Sequence, residues 1–216
     1  MSKVLLVKVL ALIAVVPALV LAGCGSGDAD EAAGPATVTV TETVAETETE
    51  PVETETQPEA VCSTAGLRLT LPAQDLPPEV AAVRQRVFDA AVACDYETLE
   101  ELALERGAGF TFSYGGGDSA ADHWREAEEA GTSEPPPMRA LATILTLPYT
   151  RNEAGSYAWP TAYDESPTEA DWQALVDSGL YSAEDVELMQ ASGTGYLGYR
   201  TAITPDGDWQ FFVAGD

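Results

Sequence analysis

Basic residues are scarce in this sequence: no lysine follows Lys8, and His123 is its single histidine. Ten lysines and arginines face 36 acidic residues, so the formal net charge is -26. A field of that sign opposes binding to nucleic acid, to anionic lipid head groups and to phosphorylated substrates. Cationic ligands, bridging Ca²⁺ and basic partners are electrostatically easier, although solubility in a salty environment also explains the acidity. We expect no nucleic-acid partner.

Long hydrophobic runs are also rare. One uncharged run, residues 9–21, follows Lys3 and Lys8, and it is too short to read as a membrane-spanning helix. A basic segment followed by such a run predicts a signal peptide. The run ends in Leu21-Ala22-Gly23-Cys24, which resembles the lipobox of bacterial lipoproteins.

The lipobox resemblance implies cleavage after residue 23 and a diacylglycerol on the thiol of Cys24. Residues 1–23 are then a signal peptide, and lipid anchors the mature chain to the outer face of the bacterial cell membrane. An ordinary secretory signal, cut by the general peptidase, is the alternative. Both interpretations predict an exported protein.

Residues 24–60 lack aromatic and basic side chains altogether. Ten acidic residues and repeated Thr-Glu and Thr-Val pairs occupy this segment. Such a composition buries too little apolar surface to offset the entropy cost of ordering, and its like charges repel one another. We therefore predict a disordered, lipid-anchored tether that spaces the folded part, residues 61–216, from the membrane.

Cysteines number three in the whole chain. If Cys24 is acylated, Cys62 and Cys94 remain as an even pair in an exported domain. An oxidising compartment favours a disulfide between them, which would fasten the start of the folded part to a helix. Two free buried thiols are the alternative.

Helix and strand patterns alternate irregularly along residues 61–216. Helix starts are indicated at Pro77-Pro78, Asp95, Asp118 or Ser119, Pro135–Pro137, a capping box over Ser166–Glu169, and Ser182 with Asp185. Strand patterns occur at 66–71 (GLRLTL), 110–114 (FTFSY), 157–163 (YAWPTAY, where Pro160 predicts an edge or a bulge) and in a hairpin about Pro205-Asp206-Gly207. The predicted fold class is α+β, with an antiparallel, curved sheet of four to five strands packed by five to six helices.

Two segments resemble NTF2-like proteins in their order along the chain. These are VRQRVFDAAVACDYETLEEL, residues 83–102, and the ending DGDWQFFV, residues 206–213. The resemblance implies a curved sheet that helices wrap into a cone. Members of that family include isomerases, cyclases and domains that only bind, so the resemblance names no function. It carries no catalytic residue onto this sequence.

The stretch FSYGGGDSAADHW, residues 112–124, combines three glycines with an acid, a serine and the histidine. A glycine loop before a helix can hold an anion. This one lacks the spacing of phosphate-binding loops and the lysine that follows them. We interpret it as a sharp turn into a helix that Asp118 or Ser119 caps.

His123 has several possible roles in that helix. It lies four residues after Ser119, a spacing that suggests acyl-transfer chemistry, and an acid such as Asp118 or Asp122 is an alternative partner. His123 and Glu126 together could supply two metal ligands, but a zinc site needs more nitrogen or sulfur ligands than that. Packing against Trp124 or the sheet is the ordinary interpretation. The sequence predicts no metal site and no cofactor.

Arg200 stands among tyrosines on the late hairpin, beside Tyr199. There it either points into a concave pocket and clamps a carboxylate or pairs with one of the many acids. Arg200, Tyr199 and His123 are thus the candidate ligand-binding residues. Three functions remain open: a non-catalytic binding module for a small molecule, lipid or wall component, an accessory partner of another envelope protein, and an envelope isomerase or hydrolase using His123.

Overall fold

The computed structural model describes residues 62–106 and 109–215. These residues contain six α-helices and a four-stranded antiparallel sheet. The predicted α+β class is confirmed, and the sheet is not closed. The predicted signal peptide, Cys24 and the predicted tether lie outside the described residues. The helices are α1 (Pro78–Ala93), α2 (Tyr96–Leu104), α3 (Ala120–Ala130), α4 (Pro137–Ile144), α5 (Glu169–Asp177) and α6 (Ala183–Ser192). The strands are β1 (Thr150–Arg151), β2 (Tyr157–Trp159), β3 (Arg200–Ile203) and β4 (Trp209–Val213). In these segments no helix combines the length and apolar character that crossing a bilayer requires.

Helix starts follow the predicted capping residues. Pro78 occupies the first turn of α1. Asp95 caps α2 by accepting a hydrogen bond from the Thr98 N–H at 3.0 Å. Ser182 and Asp185 form a reciprocal capping box at α6, which ends at Gly193 in the left-handed conformation.

One predicted capping box is displaced by two residues. Helix α5 begins after Thr168, not after Ser166. The backbone N–H and hydroxyl of Thr168 both donate to the Asp171 carboxylate at 2.7 Å. Thr168 and Asp171 therefore form the capping box in place of Ser166 and Glu169. Pro167 precedes the capping residue and is not part of the helix.

Helix α4 receives its caps from other helices. Its flanking residue Pro136 makes no side-chain cap. Instead Glu128 of α3 accepts a hydrogen bond from the Met138 N–H at 2.8 Å. At the other end, Arg84 of α1 donates to the Leu145 carbonyl through Nε at 3.1 Å and Nη2 at 2.6 Å. Both capping side chains are buried, so α4 crosses the core with its ends satisfied.

The sheet has the order β1-β2-β3-β4, and every neighbouring pair is antiparallel. Strands β3 and β4 form the hairpin predicted about Pro205-Asp206-Gly207. Gly207 has a φ of +81°, which glycine adopts without strain. A register shift at Ala202 and Ile203 marks a bulge in this hairpin.

Three strand predictions need correction. Residues 66–71 form no strand. Leu69 and Leu71 pack on the core from an irregular segment, and the carbonyl of the next residue, Pro72, accepts a hydrogen bond from Arg84. Residues 110–114 are reduced to one parallel bridge between Thr111 and Phe211 before the glycine turn. Strand β2 ends before Pro160 and pairs on both sides, so it is not an edge. Pro160 instead precedes a short 3₁₀ helix, Thr161–Tyr163.

The predicted Cys62–Cys94 disulfide is present, with an S–S distance of 2.10 Å and a Cα–Cα distance of 5.8 Å. It fastens the start of the described chain to the end of α1. The next residue, Ser63, donates to Glu128 through its backbone N–H at 3.0 Å and its hydroxyl at 2.8 Å. The bridge therefore holds a residue that orients the cap of α4.

Two apolar clusters organise the interior. The larger one joins α1–α4 to the sheet around buried aromatic side chains such as Trp124, Trp159 and Phe212. The smaller one lies under α5 and α6 and contains Leu147, Ala162, Trp172, Leu175, Val186 and Tyr196. Burial at α6 is limited to Val186, so this helix keeps apolar side chains at the surface.

Candidate functional site

An open groove of about 700 Å³ runs along α6. Four other segments complete it: residues 134–135 before α4, 179–182 before α6, 197–199 before β3, and Ala214 after β4. Its volume lies within the roughly 300–1,000 Å³ that is typical of ligand sites. The larger apolar and aromatic side chains that line it are Leu180, Tyr181, Leu188, Met189, Leu197 and Tyr199.

Two tyrosine hydroxyls build the groove floor around Gly198. The Tyr199 N–H donates to the Tyr181 hydroxyl at 2.9 Å, and the Tyr196 hydroxyl donates to the Tyr199 carbonyl at 2.8 Å. A Cβ placed on Gly198 would lie within 2.6 Å of both hydroxyl oxygens. Glycine is therefore required here, since any side chain would collide with the hydroxyls that hold the backbone.

The floor is uncharged at neutral pH. Burial raises the pKa of Tyr181 and of Tyr199, and it raises the pKa of Tyr196 well above its usual value. All three hydroxyls consequently keep their protons. The Tyr199 ring also stacks on Phe212, with centroids 5.1 Å apart and planes 22° apart, which fixes its orientation.

The charged residues that line the groove are Glu134 and Asp185, both exposed. Hydrogen bonds from the hydroxyl and N–H of Ser182 lower the pKa of Asp185. Both bonds reach Oδ2, at 2.6 and 3.0 Å. Arg139 contacts this region by donating to the Gly179 carbonyl at 3.1 Å, but its side chain is not among the lining residues.

A second, more polar cleft of about 610 Å³ lies between residues 150–154 and 163–165. Its arginine, Arg151, lies over the Tyr157 ring at 4.1 Å from the centroid. Its carboxylate Asp164 accepts from the Thr150 hydroxyl and the Ser166 N–H, which lower its pKa. In residues 62–106 and 109–215, no group of three or more His, Cys, Asp or Glu side chains is placed to hold a metal ion.

Of the three candidate ligand-binding residues, Tyr199 lines the groove and Arg200 does not. Arg200 is buried and donates to the Gly215 carbonyl at 2.6 Å, the Gly198 carbonyl at 3.3 Å and the Tyr114 hydroxyl at 3.0 Å. Its guanidinium also lies 5.3 Å from the Tyr163 ring centroid. The structure shows neither the carboxylate clamp nor an ion pair with a described acid, because backbone carbonyls satisfy this cation.

His123 is exposed on α3, away from the groove lining. Its ring packs against Phe112, with centroids 5.4 Å apart, where the ordinary interpretation expected Trp124 or the sheet. The hydroxyl of Ser119 accepts from the Asp122 N–H at 3.1 Å, and the Asp122 carboxylate pairs with Arg125 at 2.8 Å. The structure therefore does not assemble the Ser–His or Asp–His pair.

A carboxylate of the protein itself binds at the start of α3, directly after the glycine turn. Ser119 caps the helix as predicted, and the Ala120 N–H donates to the Glu100 carboxylate at 2.9 Å. A carboxylate from α2 thus occupies the place that a bound phosphate would need. The interpretation of this stretch as a turn and a cap is confirmed.

Sequence reasoning missed most of the groove, including Glu134, Tyr181, Leu188 and Met189. One signal was available. Val186, Leu188 and Met189 give the short helix α6 three apolar residues within four positions, more than one packed face of a helix accommodates. Leu188 is accordingly 64% exposed.

Comparison with protein-family models, with curated proteins and with solved structures finds no match to this chain. The lipoprotein and NTF2-like resemblances therefore stay predictions. Function has to be inferred from the chemistry of the groove itself.

Proposed function

We propose that this chain is an exported, lipid-anchored binding module of the bacterial cell envelope and that its ligand occupies the groove along α6. The observation that carries the proposal is the groove itself. A volume of about 700 Å³ is bounded mainly by apolar and aromatic side chains, above a floor whose tyrosines hold the backbone. Such a surface offers area and shape for binding.

The chemistry of the lining favours binding over catalysis. Its potential nucleophile, the Ser182 hydroxyl, donates to Asp185 at 2.6 Å and accepts from the Asp185 N–H at 3.1 Å. Both groups are thus used to cap α6. The three tyrosines of the floor stay protonated, and His123 lies elsewhere. The enzyme hypothesis has no comparable constellation to support it.

Three features support export and anchoring: the signal-like N-terminus, the acidic tether and the Cys62–Cys94 disulfide, which suits an oxidising compartment. In the source cell, a Cys24→Ser variant should lose incorporation of a labelled fatty acid. Incorporation that persists in this variant would contradict anchoring through Cys24.

An accessory role beside another envelope protein is the second candidate. The 64% exposure of Leu188 beside the other apolar residues of the groove favours it, because a protein partner could bury that side chain in the apolar core of an interface. A protein partner would cover Leu188, whereas a small ligand would contact Tyr181 and Tyr199.

Native mass spectrometry of the exported chain tests the proposal, with two matched variants. Ala214→Trp fills the groove, and Ala154→Trp places the same bulk in the polar cleft; both alanines are exposed, so the fold should tolerate either change. We expect a co-purifying mass that Ala214→Trp removes and Ala154→Trp retains. The opposite pattern would move the site to the polar cleft. A chain without any added mass would favour the protein partner.

A further inference from the structure

We infer that the ligand of the groove is a small organic cation with an apolar body, an inference that rests on the proposed function. The charged residues lining the groove, Glu134 and Asp185, are both acids. The same lining contains the aromatic and aliphatic side chains that an apolar body needs. Charge of one sign around an apolar surface selects for amphipathic ligands of the opposite sign.

The carboxylates remain available to a ligand. The capping bonds of Asp185 go to Oδ2, and no described residue donates to Oδ1. Likewise no described residue donates to the Glu134 carboxylate. Both acids are exposed, so they attract a cation without having been desolvated by the fold. An ammonium group can approach either one from solvent while its apolar part contacts the floor.

The tyrosines favour the same ligand. Tyr181 and Tyr199 line the groove, and aromatic rings attract cations. The Tyr181 hydroxyl is already engaged with the Tyr199 N–H. An anionic ligand would face two carboxylates and find no lysine, arginine or histidine in the lining. A carboxylate or phosphate ligand is therefore disfavoured.

The charge of the whole domain acts in the same direction. Residues 61–216 contain 26 acids and eight arginines, and no lysine. Two of those arginines, Arg84 and Arg200, are buried and bound to carbonyls. Arg139 is the base that contacts the groove region, and it donates to a backbone oxygen. The surface potential thus concentrates cations near the groove.

Methyl NMR provides a direct readout, because the chain has three methionines. Met189 lines the groove, and Met138 lies in the core as an internal reference. The full chain carrying Cys24→Ser is labelled at its methionine methyls and titrated with phenylbutylamine, phenylbutanol and phenylbutyrate. The three probes share one apolar body and differ in charge. Met→Leu variants assign the signals.

Phenylbutylamine should move the Met189 signal and bind roughly tenfold more tightly than phenylbutyrate, because the exposed carboxylates of Glu134 and Asp185 attract the ammonium group and repel the anionic probe. Glu134→Gln should reduce that ratio by roughly threefold. Glu153→Gln, the same charge change in the polar cleft, should leave it unaltered. Added salt should weaken the preference for the amine.

Three results would overturn the inference, and they can be told apart. Equal binding of all three probes at Met189 would remove the charge preference and leave the groove as a binding site. No response of Met189 to any probe would contradict the groove as a small-molecule site and with it the proposed function. Tighter binding of phenylbutyrate would reverse the assigned charge.

Discussion

Glu128 and Arg84 cap opposite ends of helix α4 from two different helices. The carboxylate accepts from the Met138 N–H at the start of α4, and the guanidinium donates to the Leu145 carbonyl at its end. Each charge therefore meets the end of the helix dipole that it stabilises. Every residue of α4 except Arg139 is buried, so water cannot satisfy the helix ends readily. Glu128 and Arg84 therefore stabilise helix α4, and residues 134–135 of the groove lie directly before this helix.

Replacing Glu128 by glutamine should destabilise the protein by about 2 kcal/mol, because a charge-assisted acceptor is lost. Oε1 accepts from the Ser63 hydroxyl and the Met138 N–H, and Oε2 accepts from the Ser63 N–H, so an amide nitrogen would face a donor. Chemical denaturation measures the change. The exposed neighbour offers a control: Glu129→Gln should alter stability by less than about 0.5 kcal/mol. Equal effects of the two variants would refute the capping role.

Arg84→Lys should cost about 1–3 kcal/mol, since lysine cannot reproduce a planar fork. Arg84 reaches the Leu145 carbonyl with two nitrogens and the Pro72 carbonyl with a third at 3.0 Å. Burial also lowers its pKa to about 10, because desolvation disfavours the charged form. Arg86→Lys is the matched control, because Arg86 is exposed and pairs with Glu105. An Arg84→Lys protein as stable as the control would show that the fork is dispensable.

Alkali should destabilise the fold through its buried tyrosines. Burial raises the pKa of Tyr181, Tyr196 and Tyr199, and burial together with the charge of Glu128 raises the pKa of Tyr96 to about 12. A folded pKa above the unfolded value of about 10 gives stability that is complete below pH ~10 and is lost as the pH rises through the folded pKa. Ultraviolet titration should show these tyrosinates forming late or on unfolding, and at about pH 10 in denaturant. Coincident folded and denatured titration curves would contradict the burial.

Loss of the Cys62–Cys94 bridge should remove about 3.7 kcal/mol if its loop behaves as a free chain when unfolded. The double variant Cys62→Ser with Cys94→Ser measures this by denaturation, and its stability should not respond to reductant. Iodoacetamide applied to the unfolded wild-type chain before reduction should leave both cysteines unmodified. Labelling of Cys62 and Cys94 at that step would exclude the disulfide.

Capping chemistry made the helices predictable, whereas strands depended on partners far along the chain. Asp95 and Ser182 predict the starts of α2 and α6, because each caps its helix through a hydrogen bond to a residue three positions later in the sequence. Leucine alternation in residues 66–71 predicted a strand, yet this segment pairs with no described strand, and Leu69 and Leu71 pack on the core from an irregular segment. The cross-helix caps of α4 have no local signature, because Glu128 and Arg84 lie nine and 53 residues before Pro137 in the sequence.

The groove was harder to foresee for a similar reason. Its lining comes from five separate segments, and Tyr199 was the one lining residue that the sequence indicated as a ligand-binding candidate. Arg200 stood out in the sequence as a cation among tyrosines, but its guanidinium donates to the Gly198 and Gly215 carbonyls and so has a structural role. The apolar residues of α6 carry no reactive group, so their spacing along the helix was the one signal that they offered.

A crystal structure of the protein soaked with phenylbutylamine tests the central claim most directly. We expect density for the apolar body between Tyr181 and Tyr199, with the ammonium within reach of Glu134 or Asp185. Density in the polar cleft around Arg151 or beside His123, with the groove along α6 empty, would contradict the account.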